Sequence, residues 1–548
     1  MINEKVNFMN QANQTQSAEK LLSQGWNCLR NQRINDAIKI SQQLNKYHPN
    51  NAQAWYFTAQ VALKIGNISA AKKCLNNACK IQPSHASLKI ALANVYLREN
   101  DFEQIKLIIS NIEKLSLTAT DHNQVAMLCS QLKLSNQAIA HYQNAISLEP
   151  QNHEHHYSLA AVLRHAGELQ QAEEHLTKAI ELQPLDIDAH TLRVDLKKQT
   201  GEHNYVDSLN ALLTKQLSAR KQVQVQFALA KSYEDMGECS QAFKHLQLGS
   251  NLRRKHLEYN VENDIATMTQ ISQSFDQNWW QKSSKHVQEP DNTDIVPIFI
   301  LGMPRTGSTL TDQILTAGDN VHSAGELNDF SRLLTERVKA TYTGEIKNKL
   351  QFIAAAADID FAKLGQDYLR SVKTQLADVG LGQKVHYFTD KLPLNFLYVG
   401  LLKKALPNAK IIHVTRDPMD TCYAVFKTLF QQAYPFSYDQ KELGQYFIAY
   451  QKLMKHWQQC DSLNIHTVSY EDLVTDTEKT AEKLYQFCGL QWQSEFADVQ
   501  NNTASVNTAS ASQVRQAIYK SSVQKWRNYE QQLAPLKQIL EQADIRCD

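Results

Sequence analysis

Ile298-Phe-Ile-Leu-Gly-Met-Pro-Arg-Thr-Gly-Ser-Thr-Leu-Thr311 is the stretch that decides the reading of this chain. Its apolar start predicts a buried strand, Gly302 and Gly307 predict a tight turn, and the residues after them predict the start of a helix. Such a turn points the amides of a new helix, with the Ser308 and Thr309 hydroxyls beside them, at one place, and an anion fits there. The spacing Gly302-x4-Gly307-Ser308-Thr309 matches a P-loop except that Ser308 stands where that motif carries lysine. Arg305 offers a planar fork inside the loop instead, suited to a bidentate grip on phosphate or sulfate.

Working outward toward the C-terminus, short apolar runs alternate with helical periods. Candidate strands are 297–301, 385–389, 410–414 and 465–469, each followed by a charged or turn-forming residue. This grammar predicts a parallel sheet with helices on both faces and ligands at the carboxyl ends of the strands. Arg305, Asp390-Lys391, Arg416-Asp417 and Tyr470-Glu471-Asp472 fall at those ends, and Glu326 follows Arg305 by 21 residues. The cations exceed what a structural site needs, so an anionic ligand charged at more than one point is expected. His413, inside an apolar strand, reads as a satisfied buried histidine rather than a base.

Working outward toward the N-terminus, the chain repeats itself. Ala37, Ala71, Ile105, Ala138, Ala172, Val206 and Ala242 recur at intervals of 34, 34, 33, 34, 34 and 36, and Gly66, Gly167, Gly201 and Gly237 each stand five residues before one of them. Pro49, Pro83, Pro150 and Pro184 close helical periods in the same rhythm. The third unit is degenerate, with Asn100 and Ile105 in place of glycine and alanine. Six histidines, His141, His153, His155, His156, His165 and His175, fall on different helices and read as a solvated helix surface rather than a metal site. The partition expected is a repeat array over 16–252, a helical adaptor and linker over 253–290 in which Trp279 and Trp280 plug against a domain, and an α/β domain over 291–548.

Composition narrows the function classes. With 548 residues and 43% apolar side chains, more than one core can form; 57 basic against 56 acidic residues give no global field for nucleic acid or a membrane surface. Nine scattered cysteines without a Cys-x2-Cys pair suggest a reducing compartment and no zinc site. The polar stretch Met1 to Lys20 has no signal-peptide core, so a soluble, cytoplasmic protein is expected.

The 34-residue period resembles the tetratricopeptide repeat, about seven units of it, whose concave face holds a peptide or protein partner; a dimerisation arm stays open as the alternative. Arg305-Thr-Gly-Ser-Thr309, Gly325-Glu326, Asp390-Lys-Leu-Pro393 and Val414-Thr-Arg-Asp417, in that order, resemble the sulfotransferases, tyrosylprotein sulfotransferases most closely, and bacterial sulfotransferases fused to such repeats. The resemblance implies an all-α solenoid followed by a P-loop-like α/β domain. It implies transfer of a sulfuryl group from 3'-phosphoadenosine-5'-phosphosulfate to an acceptor hydroxyl, with no metal required. Arg305, Thr306, Gly307, Ser308 and Thr309 would hold the 5'-phosphosulfate, Lys391 would neutralise the bridging oxygen, and Glu326 would be the general base. Arg416 would grip the 3'-phosphate, Tyr470 would pack under the loop, and Tyr519-Lys-Ser-Ser522 with Trp526 resembles the closing segment, making Lys520 a further contact. Ala424 departs from the family, which usually places a phosphate-bonding serine eight residues beyond the arginine; Thr421 or Lys427 is expected to substitute. The acceptor stays open between peptide tyrosine, saccharide, lipid and small phenol. A P-loop kinase and a repeat-based interaction protein with a degenerate nucleotide domain are the competing readings.

Overall fold

The computed structural model describes residues 17–99, 101–283, 295–318, 320–378, 385–430, 433–460, 463–497 and 520–547. The expected linker boundary near Asp291, Asn100 and the first 16 residues lie outside them. The chain divides into two compact units, Met1–Ala189 and His190–Asp548.

The first unit is built of helix pairs: Ala18–Arg30 with Ile34–Tyr47, Ala52–Lys64 with Ile68–Ile81, Ala86–Arg98 with Phe102–Ile112, Ala119–Gln131 with Ser135–Leu148, and His153–Ala166 with Leu169–Leu182. Asn51, Asn67 and Asn152 cap three of these helices with their side chains, and Thr118 with Asp121 forms a capping box on another. The periodic residues Ala37, Ala71, Ile105, Ala138 and Ala172 are fully buried. The turn inside a pair needs a left-handed residue. Gly66 and Gly167 supply it at φ 76° and 90°, and where glycine is missing Gln32 and Lys133 adopt it at φ 58° and 60°.

The histidines correct the solvated-surface reading. His141, His155 and His156 are buried, and His122 Nδ1 lies 2.9 Å from His141 Nδ1 while His156 Nδ1 lies 3.0 Å from His175 Nδ1. Each pair bridges the two helices of one repeat, so the repeat period copies the contact from one unit to the next. Such a bond needs one ring to donate and the other to accept, and burial holds His122, His156 and His175 below the usual imidazole value.

The sixth period also departs from expectation. Helix Ile187–Leu196 ends early and Gly201 is not left-handed. Gln199 is buried, its amide nitrogen reaches the carbonyls of Val194 and Lys197, and its backbone N–H donates to Asp235, so the chain is fixed before Gly201 is reached.

In the second unit, Ala219–Asp235 and Cys239–Lys255 form the last repeat-like pair, turning at Gly237. Five parallel strands follow: β1 (Val296–Gly302), β2 (Val321–Ser323), β3 (Tyr387–Asp390), β4 (Lys410–Thr415) and β5 (Ile465–Ser469), in the order β2-β3-β1-β4-β5. The four expected strands are present. β2 is an addition, too short and polar to show a period. Phe299 and Leu301 enter a core with Tyr368, Phe330 and Phe388 on one side, while Ile298 and Ile300 enter a core with Ile412, Leu484 and Tyr485 on the other. Both faces are covered, hence the unbroken apolar run in β1. Trp279 plugs this unit, donating Nε1 to the Ala357 carbonyl at 3.0 Å.

Candidate functional site

At the carboxyl end of β1 the loop Met303–Gly307 leads into helix Ser308–Leu315. Gly302, the last residue of β1, has φ 148°, and within the loop Arg305 at 70° and Gly307 at 98° are left-handed. A Cβ on Gly302 would sit 2.5 Å from the Val414 carbonyl oxygen, and one on Gly307 would sit 2.6 Å from the Tyr470 ring. Both glycines are therefore dictated by close approach as well as by backbone conformation. Thr306 Oγ1 ties the loop by donating to the Met303 carbonyl at 2.8 Å, and the Ser308 and Thr309 side chains are buried at the helix start. The first turn's N–H groups face out of the helix, giving an electropositive cradle.

A second group sits at the end of β3. Lys391, almost wholly buried, donates its ammonium to Glu326, whose side chain is 44% exposed. Backbone bonds from Ala324 to Thr389 and from Lys391 to Gly325 extend the β2–β3 ladder and bring Glu326 beside the lysine. Asp390 is buried, accepts from Tyr368 Oη at 2.7 Å, and is pushed up to about 7 by burial. Asp312, on the loop's helix, joins the groups. It accepts from Thr389 and Ser323, burial raises it, and the charges of Lys391 and Glu326 both act on it.

The third group lies past β4 and β5. Arg416 donates to the Arg305 carbonyl at 3.3 Å and to the Ser522 carbonyl at 2.5 Å, and its guanidinium lies 4.7 Å from the centre of the Tyr470 ring. Its Nε is buried with no hydrogen-bond partner. Tyr470 Oη and Ser522 Oγ are 2.6 Å apart, so Tyr470 touches the loop through Gly307 and the 520–529 segment through Ser522. Asp420 accepts from the backbone of Gln524 and Trp526, anchoring that segment from below.

The structure thus brings together Arg305, Thr306, Gly307, Ser308, Thr309, Arg416 and Tyr470, with Lys391 and Glu326 alongside them through Asp312. Lys520 is exposed, two residues from Ser522, and Tyr519 lies outside the described residues. Of the two substitutes for a serine at Ala424, Thr421 spends its hydroxyl on the Arg416 carbonyl at 3.2 Å, and Lys427 pairs with Glu234 at 2.7 Å. His413 is only half as satisfied as expected: Nε2 meets Tyr450 Oη, Nδ1 has no partner, and burial holds the ring down at about 4.

Two residues escaped the sequence. Tyr434 is half-buried and left-handed at φ 54°, and its hydroxyl is raised by burial and by the charge of Glu326. Glu234, from the last repeat-like pair, pairs with Lys427 and with Lys525 at 2.8 Å. Nothing local distinguishes Glu234 from any carboxylate on an amphipathic helix; its partners are 193 and 291 residues away. Among the described residues no cluster of His, Cys, Asp and Glu could hold a metal ion, and no helix is long and apolar enough to cross a membrane.

Residues 297–494 match the model of the sulfotransferase family, and 52–85 and 135–196 match tetratricopeptide repeat models. An uncharacterized protein of Aquifex aeolicus is 29% identical over 70% of this chain and 50% of its own length. Protein-tyrosine sulfotransferase A of Caenorhabditis elegans is 24% identical over 36% of this chain and 50% of its own. An omega-hydroxy-beta-dihydromenaquinone-9 sulfotransferase of Mycobacterium bovis is 31% identical over 18% of this chain and 28% of its own. The chain spans about half the length of the curated relatives it matches, or less. The C-terminal half thus carries a sulfotransferase-family domain, and the N-terminal half carries tetratricopeptide repeats.

Proposed function

We propose that this sulfotransferase-family domain transfers a sulfuryl group from 3'-phosphoadenosine-5'-phosphosulfate to an acceptor hydroxyl, and that the acceptor is a tyrosine in a peptide presented by the repeats. The observation that carries the reading is the buried Lys391 ammonium held on the open Glu326 carboxylate, at the edge of a glycine cradle that also holds Arg305.

The residues fit the donor. Gly302 and Gly307 let the loop turn tightly against Val414 and Tyr470, and Arg305, Lys391 and Arg416 supply charge at separated points. The unpartnered Arg416 Nε supports a ligand on that side, with the Tyr470 ring against the guanidinium. The donor supplies an activated sulfur–oxygen bond to phosphate. The acceptor oxygen attacks sulfur in line, its proton passes to Glu326, and Lys391 neutralises the phosphate oxygen from which the sulfuryl group departs. The products are the sulfate ester and adenosine 3',5'-bisphosphate. Until the donor's charge draws Lys391 away, the lysine occupies Glu326, so the base is released when there is something for it to do. The likeness to a protein-tyrosine sulfotransferase and the repeats' capacity to hold a chain support the peptide acceptor.

Incubation with radiolabelled donor and a cell extract tests the reading; label in a protein at tyrosine is expected, and label in lipid or saccharide would replace the acceptor. Glu326→Ala is expected to lower turnover by about 10²–10⁴-fold while calorimetry shows nearly unchanged binding of adenosine 3',5'-bisphosphate. Lost binding would remove the base role.

A further inference from the structure

One carboxylate that gathers two lysines and two tyrosine hydroxyls is not at a strand end. Glu234 closes helix Ala219–Asp235 of the last repeat-like pair, and its carboxylate accepts from Lys427 at 2.7 Å, Lys525 at 2.8 Å, Tyr423 Oη at 2.5 Å and Tyr529 Oη at 3.3 Å. The four partners come from two places. Tyr423 and Lys427 sit on and just after helix Pro418–Phe426, which follows Arg416; Lys525 and Tyr529 sit on the segment that gives Ser522 to Arg416 and Tyr470. Glu234 is thus the point at which both walls of the Arg416 group meet, and it is delivered by a helix that belongs to the repeat pattern.

We propose that Glu234 is a positioning residue for the nucleotide end of the sulfuryl donor: it holds Lys427 in place and ionised beside the anion loop, and fixes the Lys525-bearing segment that carries Ser522 over Arg416. The proposal rests on the donor assignment made above.

The electrostatics agree with the geometry. Burial would raise the Glu234 carboxyl, but Lys427 and Lys525 outweigh it and hold it at about 2. Burial pushes the Lys427 ammonium down to about 8; Glu234 opposes that fall, while Lys525 and Arg305 add to it. The Arg305 charge thus acts on Lys427 alongside those of Glu234 and Lys525. Removing the Glu234 charge leaves Lys427 with Lys525 and Arg305 as charged neighbours and no counter-ion, and its proton is then lost at lower pH. The charge on Lys427 is in this way set from the repeat-like helix pair. The hydroxyls of Tyr423 and Tyr529 remain neutral donors throughout, since burial raises both.

The same helix pair has a second tie to the domain that does not reach the site. Arg254 donates through Nε and Nη2 to Glu442, each bond 2.7 Å. That tie is the control. Adenosine 3',5'-bisphosphate binding is measured by calorimetry from pH 6 to 9 for the full chain, for Glu234→Gln, for Glu234→Asp and for Arg254→Ala. The expected result is about tenfold weaker binding in Glu234→Gln at pH 8, with the alkaline loss of affinity moved down by about one pH unit. Glu234→Asp restores part of the affinity, and Arg254→Ala keeps the wild-type pH profile whatever it does to stability. If Glu234→Gln binds with the wild-type affinity and pH profile, or if Arg254→Ala shifts the profile equally, the inference is overturned while the donor assignment stands. If the wild-type chain binds no adenosine 3',5'-bisphosphate, the donor assignment falls and this inference with it.

Discussion

Gly66 and Gly302 are both glycines with positive φ at a turn, yet they are held by different forces. Nothing lies within 4 Å of a Cβ built on Gly66, and the equivalent turn positions in two other repeats are filled by Gln32 and Lys133. A Cβ on Gly302 meets the backbone of β4 at 2.5 Å, and neither a strand partner nor its carbonyl can step aside. In the repeats a left-handed turn is a local matter with a small penalty that packing elsewhere absorbs. At the loop's entrance a positive φ is locked into the sheet, so the site inherits the rigidity of its scaffold.

Substitutions can break this comparison. Gly302→Ala carries the largest expected effect: about 3 kcal/mol or more of lost stability in the second unit, read as a lowered denaturant midpoint, because strain and a backbone clash add. A loss under about 1 kcal/mol would mean that the loop is as tolerant as a repeat turn. A pH comparison sharpens the contrast next. Burial raises Asp390 to about 7, so the native state holds a proton that the unfolded chain has released above its ordinary value near 3.8. This contribution is full at low pH and is lost as pH rises through 4–7, at a slope of at most about 1.4 kcal/mol per pH unit. His122, His156 and His175 run the other way: their lowered values mean stability that is present above about 6.5 and lost as pH falls below it. Acidification from pH 7 to 5 is therefore expected to loosen the repeats while relieving the end of β3; hydrogen exchange resolved by segment checks this, and equal loosening of both would refute it. The smallest effects come from the repeat turns. Gly66→Ala is expected to cost about 1 kcal/mol and Gln32→Gly to gain about half that, both read from thermal unfolding.

Legibility followed the range of the forces. The Ile298–Thr311 loop, four of five strands and the 34-residue period could be read because each is set by neighbours in sequence: apolar runs, glycines at turns, helical spacing. The carboxyl-end residues Arg305, Lys391 and Arg416 were placed by the rule that parallel sheets present their strand ends together. What could not be read depends on distant partners. Val321–Ser323 is a strand because β3 stands beside it, Gly201 loses its turn because Gln199 bonds Asp235, and the histidines are buried because helices from the same repeat close over them. Glu234 is the extreme case, an unremarkable helix-end carboxylate until Lys427 and Lys525 arrive.

The position of β1 in the middle of the sheet also sets a timetable. Val296 pairs with Tyr387, 91 residues later, and Ile298 with Lys410, 112 residues later, whereas each repeat helix finds its partner within one 34-residue period. During synthesis the first five helix pairs can collapse as they emerge, while the anion loop must wait, exposed, for two further strands to leave the ribosome. Nascent chains stalled between residues 300 and 410 would therefore present a finished solenoid and a bare apolar strand, the species on which a chaperone would act.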